Sequence, residues 1–183
     1  MSNLIRISDY TKLVINNFID KDMNAIDMTL GNGHDSEYLA NHFNKVYAFD
    51  IQEQAIQNSK DFLKEYSNIE YYLDSHENFD KYNFENIKVY IFNLGYLPGF
   101  DKDITTNIDS TLNAIKKVIA QMKKGTLLSI TIYPGHQEGN VEKEVIEEYI
   151  NTLDSSFHIS KYSIINNEMA PYVISIHKNK NML

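Results

Sequence analysis

Two acidic residues and a glycine turn carry the first chemical signal in this chain. Residues 26–33 read Ile26, Asp27, Met28, Thr29, Leu30, Gly31, Asn32, Gly33, and Asp50 closes a second apolar run seventeen residues after Gly33. A short strand ending in a carboxylate, followed by a tight Gly-x-Gly turn that opens a helix, lets backbone approach a ligand at the edge of a parallel sheet. A second carboxylate about 20 residues downstream is placed to accept hydrogen bonds from a ribose diol. The third glycine of the dinucleotide fingerprint is missing, because His34, Asp35 and Ser36 follow Gly33. That departure weighs against a pyrophosphate cofactor and suits a nucleoside cofactor without phosphates, of which S-adenosylmethionine is the natural example.

Three more clusters fall at strand ends. Asp74, Ser75, His76 and Glu77 follow the apolar run 69–73. Asp74 or Ser75 could accept from an adenine amino group and His76 could pack on its ring; alternatively Ser75 or Asp74 caps a helix with Glu77 in its first turn. Asn93, Leu94, Gly95, Tyr96, Leu97, Pro98 and Gly99 close a nearly continuous apolar strand. This segment is similar to the Asn-Pro-Pro-Tyr motif of methyltransferases that modify amines. The Asn93 side-chain oxygen and the Leu94 carbonyl could hold the N–H groups of an amine while Tyr96 stacks on the base, so catalysis would be proximity and alignment. The other reading is a Gly/Pro turn with Tyr96 packed. Ile132, Tyr133, Pro134, Gly135, His136, Gln137, Glu138 and Gly139 make either a substrate loop carrying His136 or a surface turn.

The elements that must position these residues alternate along the chain. Helix-period segments are expected at 7–18, with Ile7 to Asp9 as staple and cap, and at 35–43, 52–66, 105–122 and 140–153, the last capped by Asn140. Tyr10, Leu13, Val14 and Phe18 are expected on the inner face of the first, and Ala55, Ile56, Phe62 and Leu63 on that of the third. Strand-like runs occupy 25–28, 45–50, 69–73, 89–94, 126–133, 157–165 and 172–177. Alternation of this length argues for βαβ units, and two final strands without a helix between them argue for an antiparallel edge hairpin. The expected fold is α/β, Rossmann-like as in class I methyltransferases. It has a seven-stranded mostly parallel sheet, helices on both faces and one domain over residues 1–183.

Composition narrows the function classes. The chain has no cysteine, so it has no disulfide framework, thiolate metal site or cysteine nucleophile, and its six histidines show no metal-ligand spacing. A cytoplasmic protein without a membrane segment is the plain expectation. With 17 basic and 25 acidic residues the net charge is −8, which counts against an extended nucleic-acid footprint. Lys116, Lys117, Lys123 and Lys124 form a modest basic patch that could meet phosphates, or else a solvated helix face.

Taken together, the segments 27–35, 48–52, 74–78, 92–99, 134–136 and 171–172 resemble the YtqB/MnmM-type methyltransferase family over nearly the whole chain. The resemblance implies an S-adenosylmethionine-dependent enzyme acting on tRNA. It would methylate the amino group of 5-aminomethyl-(2-thio)uridine at the wobble position, with the anticodon stem-loop as partner. Asp27, Thr29, Gly31, Asn32, Gly33, Asp50, Gln52, Asp74, Ser75 and His76 are then the cofactor residues, with Asp50 on the ribose. Asn93, Leu94, Gly95 and Tyr96 face the amine, and Asp35 and His136 are candidates to remove its proton, since an alkylamine is protonated at neutral pH. Leu30 departs from the small residue common in this loop. An rRNA or small-molecule methyltransferase, and a noncatalytic Rossmann-like binding module, are the rival readings. A homodimer is one way for an acidic protein to pool weak basic faces.

Overall fold

The computed structural model describes residues 5–95, 108–135 and 137–179, with the backbone alone for 137–140. Seven strands form one sheet: β1 Asn24–Asp27, β2 Lys45–Asp50, β3 Ile69–Leu73, β4 Ile87–Leu94, β5 Leu127–Ile132, β6 Phe157–Tyr162 and β7 Tyr172–Lys178. Their spatial order is β3-β2-β1-β4-β5-β7-β6. The first five in that row pair in parallel, while β7 runs antiparallel to both β5 and β6. The described helices are α1 Ile7–Ile15, α2 His34–His42, α3 Glu53–Phe62, α4 Ile108–Gln121 and α5 Gln137–Ile150. This is the Rossmann-like class I methyltransferase layout expected from the sequence, with the terminal hairpin entering so that β7, not β6, lies against the parallel strands. Strand order reverses between β1 and β4, and a crevice opens there beyond the strand carboxyl ends.

Alternating side chains explain why the sheet is buried on both faces. Ala25, Val46, Val89, Ile91 and Leu127 pack with Ile15, Leu39 and Phe43 on one side. Ile26, Phe49, Tyr90, Phe92, Leu128 and Ile130 pack with Ala114, Ile115, Val118 and Ile146 on the other. Among the described residues no helix is long and apolar enough to cross a membrane.

Several boundaries differ from the sequence expectation. Ile7 is already helical and Arg6 holds the N-cap position without a side-chain cap bond. Asp9 instead accepts from Arg6 Nε at 2.9 Å, so it serves an ion pair and not a cap. The buried stripe of α1 is Thr11 and Ile15, and Leu13 is half exposed. In α3, Phe62 faces outward and packs edge-on against His34 at 5.1 Å, leaving Ser59 and Leu63 to fill the core. Asn140 is not a cap: it lies inside α5, which starts at Gln137. β6 stops at Tyr162 because β7 ends its pairing at Val173, and Ile164 turns the chain by accepting from the Asn167 N–H. Lys117 is committed to the Glu77 carbonyl and to Asp80, at 2.7 and 2.9 Å, so the lysine patch is only partly free.

Between α4 and α5 the core holds a carboxyl. Glu142 is buried beside Thr111, and among the described residues neither Glu142 Oε1 nor Thr111 Oγ1 has a well-formed hydrogen-bond partner. Burial pushes Glu142 up to about 7, with the nearby Thr111 hydroxyl drawing it back slightly. An acid whose folded value exceeds its unfolded value binds more protons when folded, so its neutral form favours folding and that advantage is lost as pH rises from about 4.5 through about 7. Glu142→Gln, a neutral stand-in, is expected to leave stability at pH 5 within about 1 kcal/mol and to raise it at pH 8 by up to roughly 3 kcal/mol. Denaturant melts at the two pH values check this, and equal effects at both would refute it.

Candidate active site

The crevice is floored by the turn after β1. Gly31 and Gly33 both adopt positive φ, 51° and 82°, which glycine alone takes without strain. The Gly33 N–H donates to the Leu30 carbonyl at 2.8 Å, closing the turn, and the Glu37 N–H donates to the Gly33 carbonyl at 2.8 Å, opening α2. Ser59 Oγ reaches across from α3 to the Gly31 carbonyl at 2.9 Å. Asp50, at the end of β2, accepts from the Gly31 N–H on one oxygen and from the Gln52 N–H on the other, both at 2.9 Å. Burial raises Asp50 from its ordinary range, and the Gln52, Gly31 and Ile51 N–H groups pull it back. Each carboxylate oxygen keeps a second lone pair for hydroxyl donors.

A second carboxylate layer lies behind the turn. Asp27 is fully buried and accepts from the Thr29 N–H at 3.0 Å and from the Ser36 hydroxyl at 2.7 Å. Burial first, and then the neighbouring Asp35, hold its carboxyl far above the usual range, so it is a structural acid bracing the turn. Asp35, in the first turn of α2, accepts from Asn93 Nδ2 at 3.0 Å. Its carboxyl is also raised by burial, against the pull of that amide and the fields of Lys12 and His34. Because a carboxylate only accepts, this contact fixes the Asn93 amide with its NH2 toward Asp35 and its oxygen elsewhere. The Asn93 backbone N–H donates to Thr29 Oγ1 at 2.7 Å, tying the end of β4 to the β1 turn.

At the end of β3, two of the expected cofactor residues also make local bonds. Ser75 caps a 3-10 turn, His76–Lys81, by accepting from the Glu77 N–H at 3.2 Å. Asp74 accepts from the Ser75 N–H, from Asn78 Nδ2 and from the Tyr82 hydroxyl at 2.7, 2.7 and 2.9 Å, so it anchors the segment. His76 is different. Its Nδ1 lies 3.1 Å from the Met28 carbonyl, which makes that nitrogen the N–H donor and leaves Nε2 a bare acceptor. Among the described residues Nε2 is buried without a partner, and burial drives the ring down to about 4, keeping it neutral. An orphaned acceptor where β1, β3 and β4 end calls for a donor that a ligand brings.

Residues 46–178 match the model of a family described as "Putative rRNA methylase". The chain belongs to this rRNA methylase family. A curated relative, the chloroplastic tRNA (mnm(5)s(2)U34)-methyltransferase of Arabidopsis thaliana, is 32% identical and aligns with 96% of this chain and 70% of its own length. Among solved structures, SMU.1697c, a "putative methyltransferase" of Streptococcus mutans in complex with SAH, is 34% identical with a TM-score of 0.88, covering 96% of this chain and 99% of that one. A "putative rRNA-methylase" of Clostridium thermocellum is 30% identical with a TM-score of 0.91, covering 97% and 100%.

In this methylase the crevice brings together Asp27, Thr29, Gly31, Asn32, Gly33, Asp35, Asp50, Gln52, His76 and Asn93. Tyr96 and His136 lie outside the described residues. Among the described residues no group of His, Asp and Glu is placed to hold a metal ion. Two features escaped the sequence reading. Ile51 and Leu73, each more than half exposed, flank Asp50 at the ends of β2 and β3 and offer an apolar surface to a planar ring. Tyr133, directly after β5, sets its ring against Gly95, where an added Cβ would come within 3.2 Å of it. An apolar residue after an acidic strand end was the available signal for Ile51. Tyr133 reads as the end of a strand leading into the His136 segment, with no role of its own.

Asp50→Ala is expected to weaken cofactor binding about 10- to 100-fold, the loss of hydrogen bonds to a charged group, while turnover at saturating cofactor stays within about threefold. Calorimetry and saturation kinetics separate the two, and unchanged affinity would exclude Asp50 from the cofactor contact.

Proposed function

We propose that this methylase uses S-adenosylmethionine to methylate the primary amine of 5-aminomethyl-(2-thio)uridine at the tRNA wobble position, giving the methylaminomethyl form. The observation that carries the reading is Asn93, locked by Asp35 so that its side-chain oxygen is free to accept from an amine beside the cofactor crevice. The Arabidopsis relative, whose name states this wobble-uridine chemistry, supports the substrate. The fit of the cofactor rests on three features of the crevice: the spare lone pairs of Asp50, the orphaned His76 Nε2 and the apolar flank of Ile51 and Leu73.

When bound, S-adenosylmethionine supplies a methyl group on a positively charged sulfur. The chain has two tasks beside it. Asp50 would hold the ribose hydroxyls, and His76 Nε2 would accept from an N–H of the cofactor. Asn93 would orient the amine nitrogen, and Asp35, with a carboxyl raised by burial above its ordinary range, would take the proton that an alkylammonium must lose before it attacks. No covalent intermediate with the protein is needed, because the rate gain comes from alignment of two bound reactants.

The test is mass spectrometry of tRNA nucleosides from a deletion strain, with and without the restored gene. Build-up of the unmethylated aminomethyl nucleoside, reversed by restoration, supports the reading. An unchanged nucleoside profile would leave an rRNA or small-molecule substrate as the account of the same site.

A further inference from the structure

Three oxygen-bearing side chains, Asn93, Asp35 and Tyr133, stand near the exit of β4 and β5. Asn93 presents Oδ1, since its amide NH2 is held by Asp35 Oδ2. Asp35 keeps Oδ1 beside it, with no bond from a described residue. Tyr133 closes the third side. β4 and β5 are in parallel register up to Leu94 opposite Ile132, so Gly95 and Tyr133 are the next neighbours across the strands. The Tyr133 ring lies so close to Gly95 that a side chain there would strike it at 3.2 Å. Its phenol is half-buried within the field of the Asp35 carboxylate, which together with burial disfavours its ionisation. Among the described residues no hydrogen-bond partner is found for the Tyr133 hydroxyl. Three acceptors around one opening match one donor type: a primary ammonium, with three N–H groups on one atom.

We infer that Tyr133 is a specificity-determining residue, its hydroxyl completing with Asn93 Oδ1 and Asp35 Oδ1 a three-acceptor seat that admits a primary amine and rejects the secondary amine made from it. This rests on the amine-methylation reading above. The ammonium gives one proton to Asp35, which becomes the neutral acid. The nitrogen then turns about its C–N bond, carrying its two N–H groups to new positions among the three oxygens as the lone pair comes to face the methyl carbon. The nitrogen–carbon bond forms as the carbon–sulfur bond breaks; its electron pair stays on sulfur, and the positive charge passes from sulfur to nitrogen. Asp35 later returns its proton to solvent. A product amine that rebinds would have to turn its new methyl against one of these oxygens. A buried acceptor facing a methyl group is left unsatisfied, a penalty that discriminates strongly at a site built for hydrogen bonds. The seat thereby stops the reaction after one transfer.

The experiment compares wild type and Tyr133→Phe on an anticodon stem-loop RNA bearing 5-aminomethyluridine. Phe keeps the ring against Gly95 and removes only the hydroxyl. Wild type is expected to form only the monomethyl product and to bind the aminomethyl RNA at least about 10-fold tighter than its methylated counterpart, one lost hydrogen bond in a desolvated site. In Tyr133→Phe, with unchanged melting temperature and cofactor affinity, the preference should shrink below about threefold, the first transfer should slow about 10-fold, and dimethylated nucleoside should appear. Tyr133→Leu serves as a second variant: it loses the ring too, and should show the same loss of selectivity. If wild type methylates the RNA but Tyr133→Phe remains strictly monomethylating with an unchanged preference, the seat is refuted while the substrate reading stands. If wild type neither binds nor methylates the RNA, both fall.

Discussion

Asp35→Asn is expected to lower turnover by about 100-fold while cofactor affinity stays within about twofold. Two losses combine in that result. The amide cannot take the amine's proton, and removing a positioned base costs roughly 100- to 10,000-fold. It also presents an NH2 of its own, so the orientation of the Asn93 amide, now dictated by an acceptor-only partner at 3.0 Å, is no longer fixed. The pH dependence carries the sharper signature. Asp35 must be ionised to act, and burial raises its carboxyl from the ordinary range. The wild-type rate therefore climbs with pH later than an exposed aspartate would dictate, and that limb should vanish in Asp35→Asn. The variant should instead quicken only at higher pH, where the free amine loses its proton unaided. Single-turnover rates at saturating cofactor from pH 5 to 9 make the measurement, and a variant that keeps the wild-type limb would assign the base elsewhere.

Gly33→Ala should lower stability by about 2 kcal/mol, within the usual cost of forcing a side chain into the left-handed region, and cofactor affinity at least 10-fold. At φ 82° the backbone is already one that L side chains avoid, and the new Cβ would lie 2.9 Å from Leu63 Cδ1 and 3.1 Å from Ser59 Oγ. Leu63 is buried and cannot swing aside, while Ser59 is engaged with the Gly31 carbonyl. The strain therefore passes into the turn that must hold the nucleoside. For a domain of this size the melting temperature should fall by about 4–8 °C. An unshifted melt with intact binding would mean that the turn relaxes at no cost.

The glycine turn and the acidic strand end were legible in the sequence because their signals are local. Gly31, Gly33 and Asp50 announce a turn and an acidic strand end by residue type and spacing alone, and alternating apolar runs disclose the sheet. Ser75 shows the limit: its capping bond to Glu77 and a cofactor contact draw on the same residue type at the same place, so local sequence left both open. Asp74 is spent on Asn78 and Tyr82, partners four and eight residues on, which spacing did not single out. Leu13 and Phe62 were placed inside because apolar periodicity marks a stripe and not its edges. Tyr133 and Glu142 were missed for a deeper reason. What makes them unusual is a neighbour on another element, Gly95 for one and Thr111 for the other, and no window along the chain contains both.

The bond from the Asn93 N–H to Thr29 Oγ1 has a thermodynamic corollary. It fastens the loop that would cradle the nucleoside to the strand end that would present the amine's acceptor, so neither half can shift without the other. A ligand that draws one half into its bound shape prepays part of the ordering the second ligand needs, and such coupling is reciprocal by necessity. Whatever factor the methyl donor adds to the grip on the acceptor substrate, that substrate adds to the grip on the donor.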